Sequence, residues 1–276
     1  MIRNFCNLVF GLLFIAACGG GTEDSNTNAV PAPHASEAVQ GLEYNPGFFD
    51  VYAGENKVLA VLPAPDEDGL ALSMIYATGL TAGLGSNPIG LDRGAFDSGI
   101  ILHFRKIGNR VIAEQENTRY RATADRPLEK KAVRQSFARS FLWSGSIIEV
   151  TEEGGLLIDL SSFLTRDHFG VVKSISDHPS GGSYALVANR SFPDVDAALA
   201  FPDNVELDAF LTPSSNSPGS ETRATSADAR DLTLIQHHSF IRLPKPGYTL
   251  RRADQRTGSI NVSYYCLLYT SDAADE

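Results

Sequence analysis

Cysteine is scarce in this sequence, and no two cysteines are placed to form a disulfide inside the folded part. The 276 residues contain three: Cys6 and Cys18 lie in the N-terminal segment, and Cys266 lies near the other end. A chain of this length can bury a sizeable apolar core. We therefore expect the fold to be held by packing alone, even where the compartment permits disulfides.

The sequence also lacks the short motifs that mark common enzyme sites. It contains no phosphate-binding loop, no GxGxxG pattern, no HExxH zinc motif and no GxSxG nucleophile elbow. The positions of the cysteines exclude a Cys–His catalytic pair. By itself the sequence indicates no catalytic residue, no metal ligand and no cofactor in this chain.

Basic side chains are outnumbered by acidic ones, with 23 Lys and Arg against 33 Asp and Glu. The formal net charge is −10 and the sequence pI is about 5.1. Nucleic-acid binding depends on basic side chains that neutralise phosphates. The composition therefore disfavours nucleic acid as a partner.

The N-terminus has the pattern of a bacterial lipoprotein signal peptide over residues 1–18. Arg3 precedes an apolar run of ten residues, 8–17, which is too short to span a bilayer as a helix. Small residues then lead to Cys18, which we predict to be lipidated; an ordinary signal peptide is the alternative. Gly19 after this cysteine favours the outer membrane, so we expect a cell-envelope protein on the periplasmic or extracellular face.

Residues 19–46 are small, polar and interrupted by prolines, which predicts a flexible tether. Residues 47–265 are predicted to form a β-rich domain, with a hairpin subdomain over 47–69 and a main domain over 70–265 as one option. Turn residues between β-forming runs predict hairpins around residues 53–56, 108–109 and 152–155.

One helix is predicted over residues 128–143, after Pro127. Val133, Phe137 and Phe141 fall on one face of it, which we interpret as packing against a sheet. Residues 213–229 are rich in Ser, Pro and Ala and predict an exposed or disordered loop. The fold class is therefore α+β and β-dominated, with antiparallel sheets and one main amphipathic helix.

Residues 76–94, here called the glycine segment, hold five glycines among apolar residues. Flexible linkers pair glycine with serine, whereas Leu80, Leu84, Ile89 and Leu91 are spaced through this one and predict an ordered structure. The segment is either a tight connection between strands or a rigid surface on which a domain or substrate docks. The candidate docking residues are Gly79, Gly83, Gly85, Ser86, Asn87, Pro88, Gly90, Asp92 and Arg93.

Two polar clusters are weaker candidates for a site. His237 and His238 are adjacent in a predicted strand, where successive side chains point to opposite faces, so we do not expect them to share a metal ion. Arg166 and Asp167 precede His168 after an apolar pair, and this pattern is more typical of a turn network than of acid–base chemistry.

Several segments carry a resemblance when taken in chain order. They are Thr78 and Gly79; residues 83–94; residues 133–137 with Leu142 and Trp143; Phe163 and Leu164 with Arg166, Asp167, Gly170 and Val171; residues 236–240; and Pro246, Gly247 and Tyr248. Together they resemble the N-terminal region of large bacterial secreted zinc-dependent metalloproteases, a region classed as domains of unknown function. The resemblance covers residues 47–264.

The resemblance implies a non-catalytic N-terminal region that serves as a scaffold, a prosegment or a substrate platform. In that family a metzincin-type HExxHxxGxxH site lies downstream of these segments, so the resemblance places zinc in a C-terminal peptidase domain that is missing from this chain. The implied partners are that domain, the membrane through the lipid anchor, and a peptide or protein substrate. The alternative is a complete surface lipoprotein that serves as a binding module.

Residues 266–276 depart from the family pattern. We predict that they are a non-native tail, of the kind that ends a truncated gene model. A natural acidic tail is the alternative.

Overall fold

The computed structural model describes residues 36–121 and 126–244, and the backbone of residues 265–266. The predictions for Cys18, for residues 19–35 and for Pro246, Gly247 and Tyr248 lie outside the described residues. The strands are β1 (Glu43–Asn45), β2 (Asp50–Gly54), β3 (Lys57–Leu62), β4 (Leu70–Ala82), β5 (Ile100–Ile107), β6 (Arg110–Gln115), β7 (Tyr120–Arg121), β8 (Ser140–Val150), β9 (Leu156–Asp159), β10 (Gly182–Leu186), β11 (Phe192–Ala200), β12 (Asn204–Leu211), β13 (Pro213–Pro218), β14 (Leu234–Arg242) and β15 (Tyr265–Cys266). The α-helices are α1 (Pro127–Ser136), α2 (Ser161–Leu164), α3 (Val171–Asp177) and α4 (Ser220–Thr225).

Eleven strands form one antiparallel sheet in the order β1-β2-β3-β9-β8-β6-β5-β4-β14-β12-β11. This confirms the β-dominated fold class with an antiparallel sheet. The three predicted hairpins are β2–β3, β5–β6 and β8–β9. Because β3 also pairs with β9, the first hairpin is part of the large sheet.

The sheet curls until β11 comes into contact with β2 and β3. A backbone hydrogen bond of 2.7 Å from the amide of Phe48 to the carbonyl of Phe201 joins these two regions. The inner face holds the main apolar core, in which Phe104, Phe163 and Phe240 are fully buried. Fully burying one such side chain is worth roughly 1.5–3 kcal/mol, so packing can hold this fold without cross-links.

The predicted helix over residues 128–143 is wrong in its second half. Helix α1 ends at Ser136, and β8 begins at Ser140 and pairs with β6 and β9. None of the residues in α1 is buried, and Phe141 is half exposed on the strand. Pairing on both edges, with Trp143 buried beneath, overrides the helical period because it satisfies the backbone and fills the core together.

Two further boundaries differ from the sequence expectations. Residues 43–45 form the edge strand β1, so the folded part begins before residue 47. Residues 213–229 are not a disordered loop: β13 pairs with β10, and Thr222 of α4 is fully buried. Composition misled the second prediction because backbone pairing does not require apolar side chains.

The glycine segment is ordered and supplies part of a second apolar cluster. Leu80, Leu84 and Leu91 are buried there with Val171 and Ile175 of α3, and Ile89 packs against them. The amide of Leu84 donates to the carbonyl of Leu91 (2.8 Å), which closes the loop at its base. Between these anchors lies the tip of the loop, which holds Gly85, Ser86, Asn87, Pro88 and Gly90.

Two glycines of this segment are required for different reasons. At Gly83 an added Cβ would lie 2.1 Å from the carbonyl oxygen of Leu91, the acceptor that closes the loop. At Gly85 an added Cβ would meet no atom within 4 Å, but φ is +85°, where other residues are strained.

We expect Gly83→Ala to lower the free energy of unfolding by roughly 2–3 kcal/mol, because the loop must open to admit the methyl group. Gly85→Ala should cost about 1 kcal/mol, through backbone strain alone. Urea denaturation measures both, and exposed Ser86→Ala is the control that should leave the transition unchanged. Equal losses for the two glycine variants would contradict the steric explanation for Gly83.

Candidate docking site

The two faces of β14 carry different chemistry because side chains alternate along a strand. Leu234, Gln236, His238 and Phe240 point inward and are buried, whereas His237 and Ser239 lie on the outer face. His237 and His238 therefore point to opposite faces, as the sequence analysis expected. Each belongs to a separate hydrogen-bonded network, and the outer one borders a surface cavity.

That cavity, here called the trough, has a volume of about 350 Å³ and runs over the outer face of β4. Ala77, Gly79 and Thr81 form its floor, and Phe96 and His237 stand on either side. Of the predicted docking residues, Gly79 lines the trough. The loop tip around Ser86, Asn87 and Pro88 does not, nor do Asp92 and Arg93.

Strand register places Gly79 directly between the two walls. Gly79 lies opposite His237 on β14 and opposite Phe96 on the other side. An aromatic ring beside a glycine in a sheet commonly covers the glycine. Here the Phe96 ring projects into solvent, because the residue is 81% exposed. Gly79 itself is buried, and a Cβ added to it would lie 2.9 Å from the carbonyl oxygen of Ala95 and 3.2 Å from Cβ of Phe96, so the glycine allows this close approach of the two segments.

Phe96 is exposed, but the backbone that carries it is held firmly. The amide of Leu80 donates to the carbonyl of Ala95 (2.8 Å), and the amide of Asp97 donates to the carbonyl of Thr78 (2.9 Å). The Asp97 carboxylate also accepts from the Thr78 hydroxyl (2.6 Å) and the Thr78 amide (3.1 Å). These hydrogen bonds fix the position of the backbone that carries Phe96.

His237 is clamped between two carboxylates of β12. Its Nδ1 lies 2.5 Å from Asp208 Oδ1, and its Nε2 lies 2.8 Å from Glu206 Oε2. The contacts with the two carboxylates, that with Asp208 first, raise the pKa of His237 to about 9 against the opposing effect of burial, so the ring is charged at neutral pH. Oε2 of Glu206 is nevertheless buried without a well-aligned hydrogen-bond donor.

Glu206 is a hub of this outer network. Its Oε1 accepts from Ser239 Oγ (2.8 Å) and from Asn204 Nδ2 (2.6 Å). Burial raises the pKa of Glu206, but the hydrogen bonds from His237, Ser239 and Asn204 outweigh it and lower the pKa overall. Asp208 likewise accepts from the Thr81 hydroxyl (2.8 Å). Both carboxylates are thus fixed by neutral donors as well as by His237.

This trio does not fit a metal ion. The carboxylates contact opposite nitrogens of one imidazole, so they lie on opposite sides of the ring, whereas a metal needs ligands that converge on one point. Among residues 36–121 and 126–244, no three His, Cys, Asp or Glu side chains are arranged to hold a metal ion.

On the inner face, His238 is fully buried and joins three segments of the chain. Its Nδ1 accepts from the Tyr76 hydroxyl (2.8 Å), and its Nε2 donates to the carbonyl of Leu164 (3.0 Å). Burial, followed by repulsion from His168 and His237, lowers the pKa of His238 well below its usual value. Burial raises the pKa of Tyr76. His238 is therefore a neutral structural residue.

Gln236 lies two residues before His238 on the same inward face of β14, and it also bonds to the segment between Leu164 and Phe169. Its Oε1 accepts from the amide of Phe169 (2.8 Å), and its Nε2 donates to the carbonyl of Arg166 (2.8 Å). Leaving one such buried group without a partner costs about 1–3 kcal/mol. Gln236 and His238 thus attach the segment from Leu164 to Phe169 to the sheet.

The Arg166, Asp167 and His168 cluster is a turn network, as the sequence pattern indicates. The Asp167 carboxylate accepts from the amides of Gly170, Val171 and Val172 (2.6–2.9 Å) and caps α3. Burial and the nearby Arg166 lower the pKa of His168 to about 4, and its Nε2 contacts the carbonyl of Phe163 (3.1 Å). The Asp167 and His168 side chains therefore stabilise the turn between α2 and α3.

Sequence reasoning missed Phe96, Glu206 and Asp208, which complete the outer site. The alternation in β12 was a usable signal, because it places both carboxylates on one face with Val205 and Leu207 on the other. Phe96 gave no signal, since its exposure depends on how the loop folds back on β4. The segments that carry the sequence resemblance do meet: the glycine segment, Phe163 to Val171 and residues 236–240 surround the same stretch of β4 and β14.

A second groove, of about 590 Å³, lies between β5, β6 and the segment around α1. Three of its charged side chains are paired with one another: Glu114 accepts from Arg139 (2.6 Å at each oxygen) and from Arg105 (3.4 Å). Burial raises the pKa of Glu114, but these arginines outweigh it and lower the pKa overall. This ion-paired trio joins β5, β6 and the residue before β8 along one side of the groove.

The comparisons with known proteins identify one family. A model described as Domain of unknown function (DUF5117) matches residues 97–275. None of the curated proteins matches the chain, and no solved structure matches it. The matched range begins at Asp97, directly after Phe96, and contains the Glu206, Asp208 and His237 trio. It also includes residues 266–275, whose non-native origin stays a prediction. In the described part of the chain, no helix is long and apolar enough to cross a membrane.

The two adjacent histidines should give opposite pH dependences of stability. The pKa of His237 is about 9 in the folded state against about 6.5 unfolded. Its contribution to stability is therefore fully present below pH 6.5 and is lost as the pH rises towards 9. Thermal melts between pH 6.5 and 9 should show this loss for the wild type and a smaller loss for His237→Gln.

His238→Gln is the matched comparison, since the pKa of His238 is lowered in the folded state. Its contribution is present above pH 6.5 and is lost as the pH falls below that value. This variant should alter the acid side of the profile and leave the alkaline slope in place. An unchanged alkaline slope in His237→Gln would show that the clamp does not hold the ring protonated.

Proposed function

Since the chain belongs to the family described as Domain of unknown function (DUF5117), we propose a function from its site and its sequence. The chain is the non-catalytic N-terminal region of a membrane-anchored zinc metallopeptidase. It is a scaffold, and its trough is the surface on which the C-terminal peptidase domain docks. The prosegment and substrate-platform roles use the same surface and differ in what docking does to activity.

The trough is the observation that supports this proposal. Exposed large aromatic side chains beside an apolar depression are typical of protein contact sites. Phe96 is 81% exposed on a backbone fixed by Thr78 and Leu80, and the floor beneath it is formed by small residues. Such a surface is preorganised, so a partner that binds it does not have to order it first.

The peptidase assignment rests on the sequence resemblance, and zinc belongs to the C-terminal domain in this proposal. Cys18 anchors the protein to the bacterial cell envelope. The metal chemistry would be supplied by an HExxH site outside this chain. The residues of this chain position that domain near the membrane and take no part in peptide cleavage.

Phe96→Ala should weaken binding of the separately expressed C-terminal domain by at least about fivefold, as truncation of a central aromatic contact does. Leu128→Ala is the matched control, because Leu128 on α1 is also 81% exposed but lies away from the trough. Surface plasmon resonance with the chain immobilised measures both affinities.

Equal affinities for the two variants would refute docking at the trough. Inhibition of the peptidase on docking would assign the prosegment role, and unchanged activity would support the scaffold. A gene that ends at residue 276, with no peptidase domain, would replace this proposal with the surface-lipoprotein alternative.

The anchor has a test of its own. Cys18→Ser should abolish lipidation and move the protein from the detergent phase to the aqueous phase in Triton X-114 partitioning. Cys6→Ser is the control, since Cys6 lies before the cleavage position and should not affect partitioning. Partitioning that survives Cys18→Ser would contradict the anchor.

A further inference from the structure

Residues 126–139 reverse the charge of the chain locally. They contain one acidic residue, Glu129, and five basic ones: Arg126, Lys130, Lys131, Arg134 and Arg139. Five minus one gives this segment a formal charge of +4, in a chain whose net charge is −10. Helix α1 lies within the segment and buries none of its residues. The helix therefore presents basic side chains more than an apolar packing face.

Part of this positive charge lines the second groove, between β5, β6 and the segment around α1. Four permanent cations line it: Arg105, Lys130, Arg134 and Arg139. Three carboxylates oppose them: Asp68, Glu114 and Glu116. The groove thus has a positive surplus in an acidic protein, and its volume of about 590 Å³ lies within the range of roughly 300–1,000 Å³ in which proteins hold ligands.

Two of the arginines in the groove have hydrogen-bond donors to spare. Within residues 36–121 and 126–244, the Arg134 side chain makes no hydrogen bond or ion pair. Arg105 donates from Nη1 to the carbonyl of Asp68 (2.9 Å) and from Nε to Glu114 (3.4 Å), which leaves other donors of its guanidinium unused. Glu114 already accepts two short hydrogen bonds from Arg139. One carboxylate therefore serves two arginines, and the charge of Arg134 has no counterpart.

The shape of the groove favours a polypeptide over an anionic membrane. Basic segments bind lipid headgroups from a protruding surface, whereas Lys130, Arg134 and Arg139 line a concavity. The lining also includes Val133 and Phe137, and the Phe137 ring stacks on Tyr120 with centroids 4.0 Å apart. Apolar and charged groups side by side suit an acidic side chain, which has both a carbon stem and a carboxylate.

We propose that the second groove binds an acidic segment of a partner polypeptide, with one carboxylate of that segment held by Arg134. Arginine suits this role because its planar guanidinium can donate two parallel hydrogen bonds to a carboxylate. The site is separate from the trough and does not depend on the function proposed for the trough.

Two peptides of equal size test the charge preference directly. The acetylated hexapeptide amide Glu-Glu-Ala-Glu-Glu-Ala and its neutral counterpart Gln-Gln-Ala-Gln-Gln-Ala are titrated into the ¹⁵N-labelled chain. NMR follows the amides of His103, Gln115 and Val133, which line the groove. The acidic peptide should shift these amides and bind more tightly than the neutral one. Equal binding of the two peptides, or no shifts at these amides, would overturn the inference.

A matched pair of variants locates the contact on α1. Arg134→Gln should weaken binding of the acidic peptide about three- to fivefold, the effect of losing one exposed ion pair. Lys131→Gln removes the same charge from the same helix, but Lys131 is exposed and does not line the groove. This control should leave the affinity close to that of the wild type. Equal losses in both variants would show diffuse attraction to the helix and would contradict a site in the groove.

Phosphatidylglycerol vesicles distinguish a membrane from a peptide. The Cys18→Ser chain is used in a sedimentation assay, so that the predicted lipid anchor does not attach the protein. Vesicle binding that is lost in Arg134→Gln, without any binding of the acidic peptide, would replace the inference with a membrane contact.

The inference and the proposed function fail separately. Phe96→Ala should leave binding of the acidic peptide unchanged, because Phe96 lines the trough and not the second groove. A loss of peptide binding in this variant would contradict the groove as the site. Failure of the C-terminal domain to bind the trough would leave the peptide result as it stands.

Discussion

The antiparallel pairing of β4 with β14 is the interaction on which both faces of this molecule depend. It sets His237 opposite Gly79 and His238 opposite Thr78. A shift of β14 by one residue would exchange its two faces, turning His237 into the core and away from Glu206 and Asp208 on β12. Register is held on the inner side by the Tyr76 hydroxyl, which bonds His238 across the strand pair.

The inner face uses polar side chains to hold a loop. Gln236 and His238 are fully buried, yet their polar atoms pair with backbone groups between Leu164 and Phe169. Buried polar networks are costly unless every member is satisfied, and a satisfied network specifies one arrangement. The segment that contains α2 and the turn before α3 is thereby fixed against the sheet, with the Phe163 ring packed against Tyr76 and Phe240.

On the outer face, β4 and β14 carry the trough, and β12 supplies the carboxylates that contact His237. Gly79 lets the segment that carries Phe96 approach β4 closely, and Ala77 and Thr81 continue the floor of the trough along the outer face of β4. The backbone of Phe96 is held by hydrogen bonds, and the His237 ring is held by Asp208 and Glu206.

The sequence by itself determined the β-dominated class, the three hairpins, the ordered conformation of the glycine segment, and the opposite directions of the His237 and His238 side chains. Each of these follows from local rules: strand alternation, turn chemistry and the spacing of apolar anchors. Tertiary structure decided that residues 140–143 form a strand, because pairing with β6 and β9 outweighs their helical period. It also decided that Phe96 stands exposed beside Gly79 and that Glu206 and Asp208 reach His237. These contacts come together only because His237 pairs with Gly79, about 160 positions away in the chain, and this separation is bridged when β4, β12 and β14 meet in one sheet.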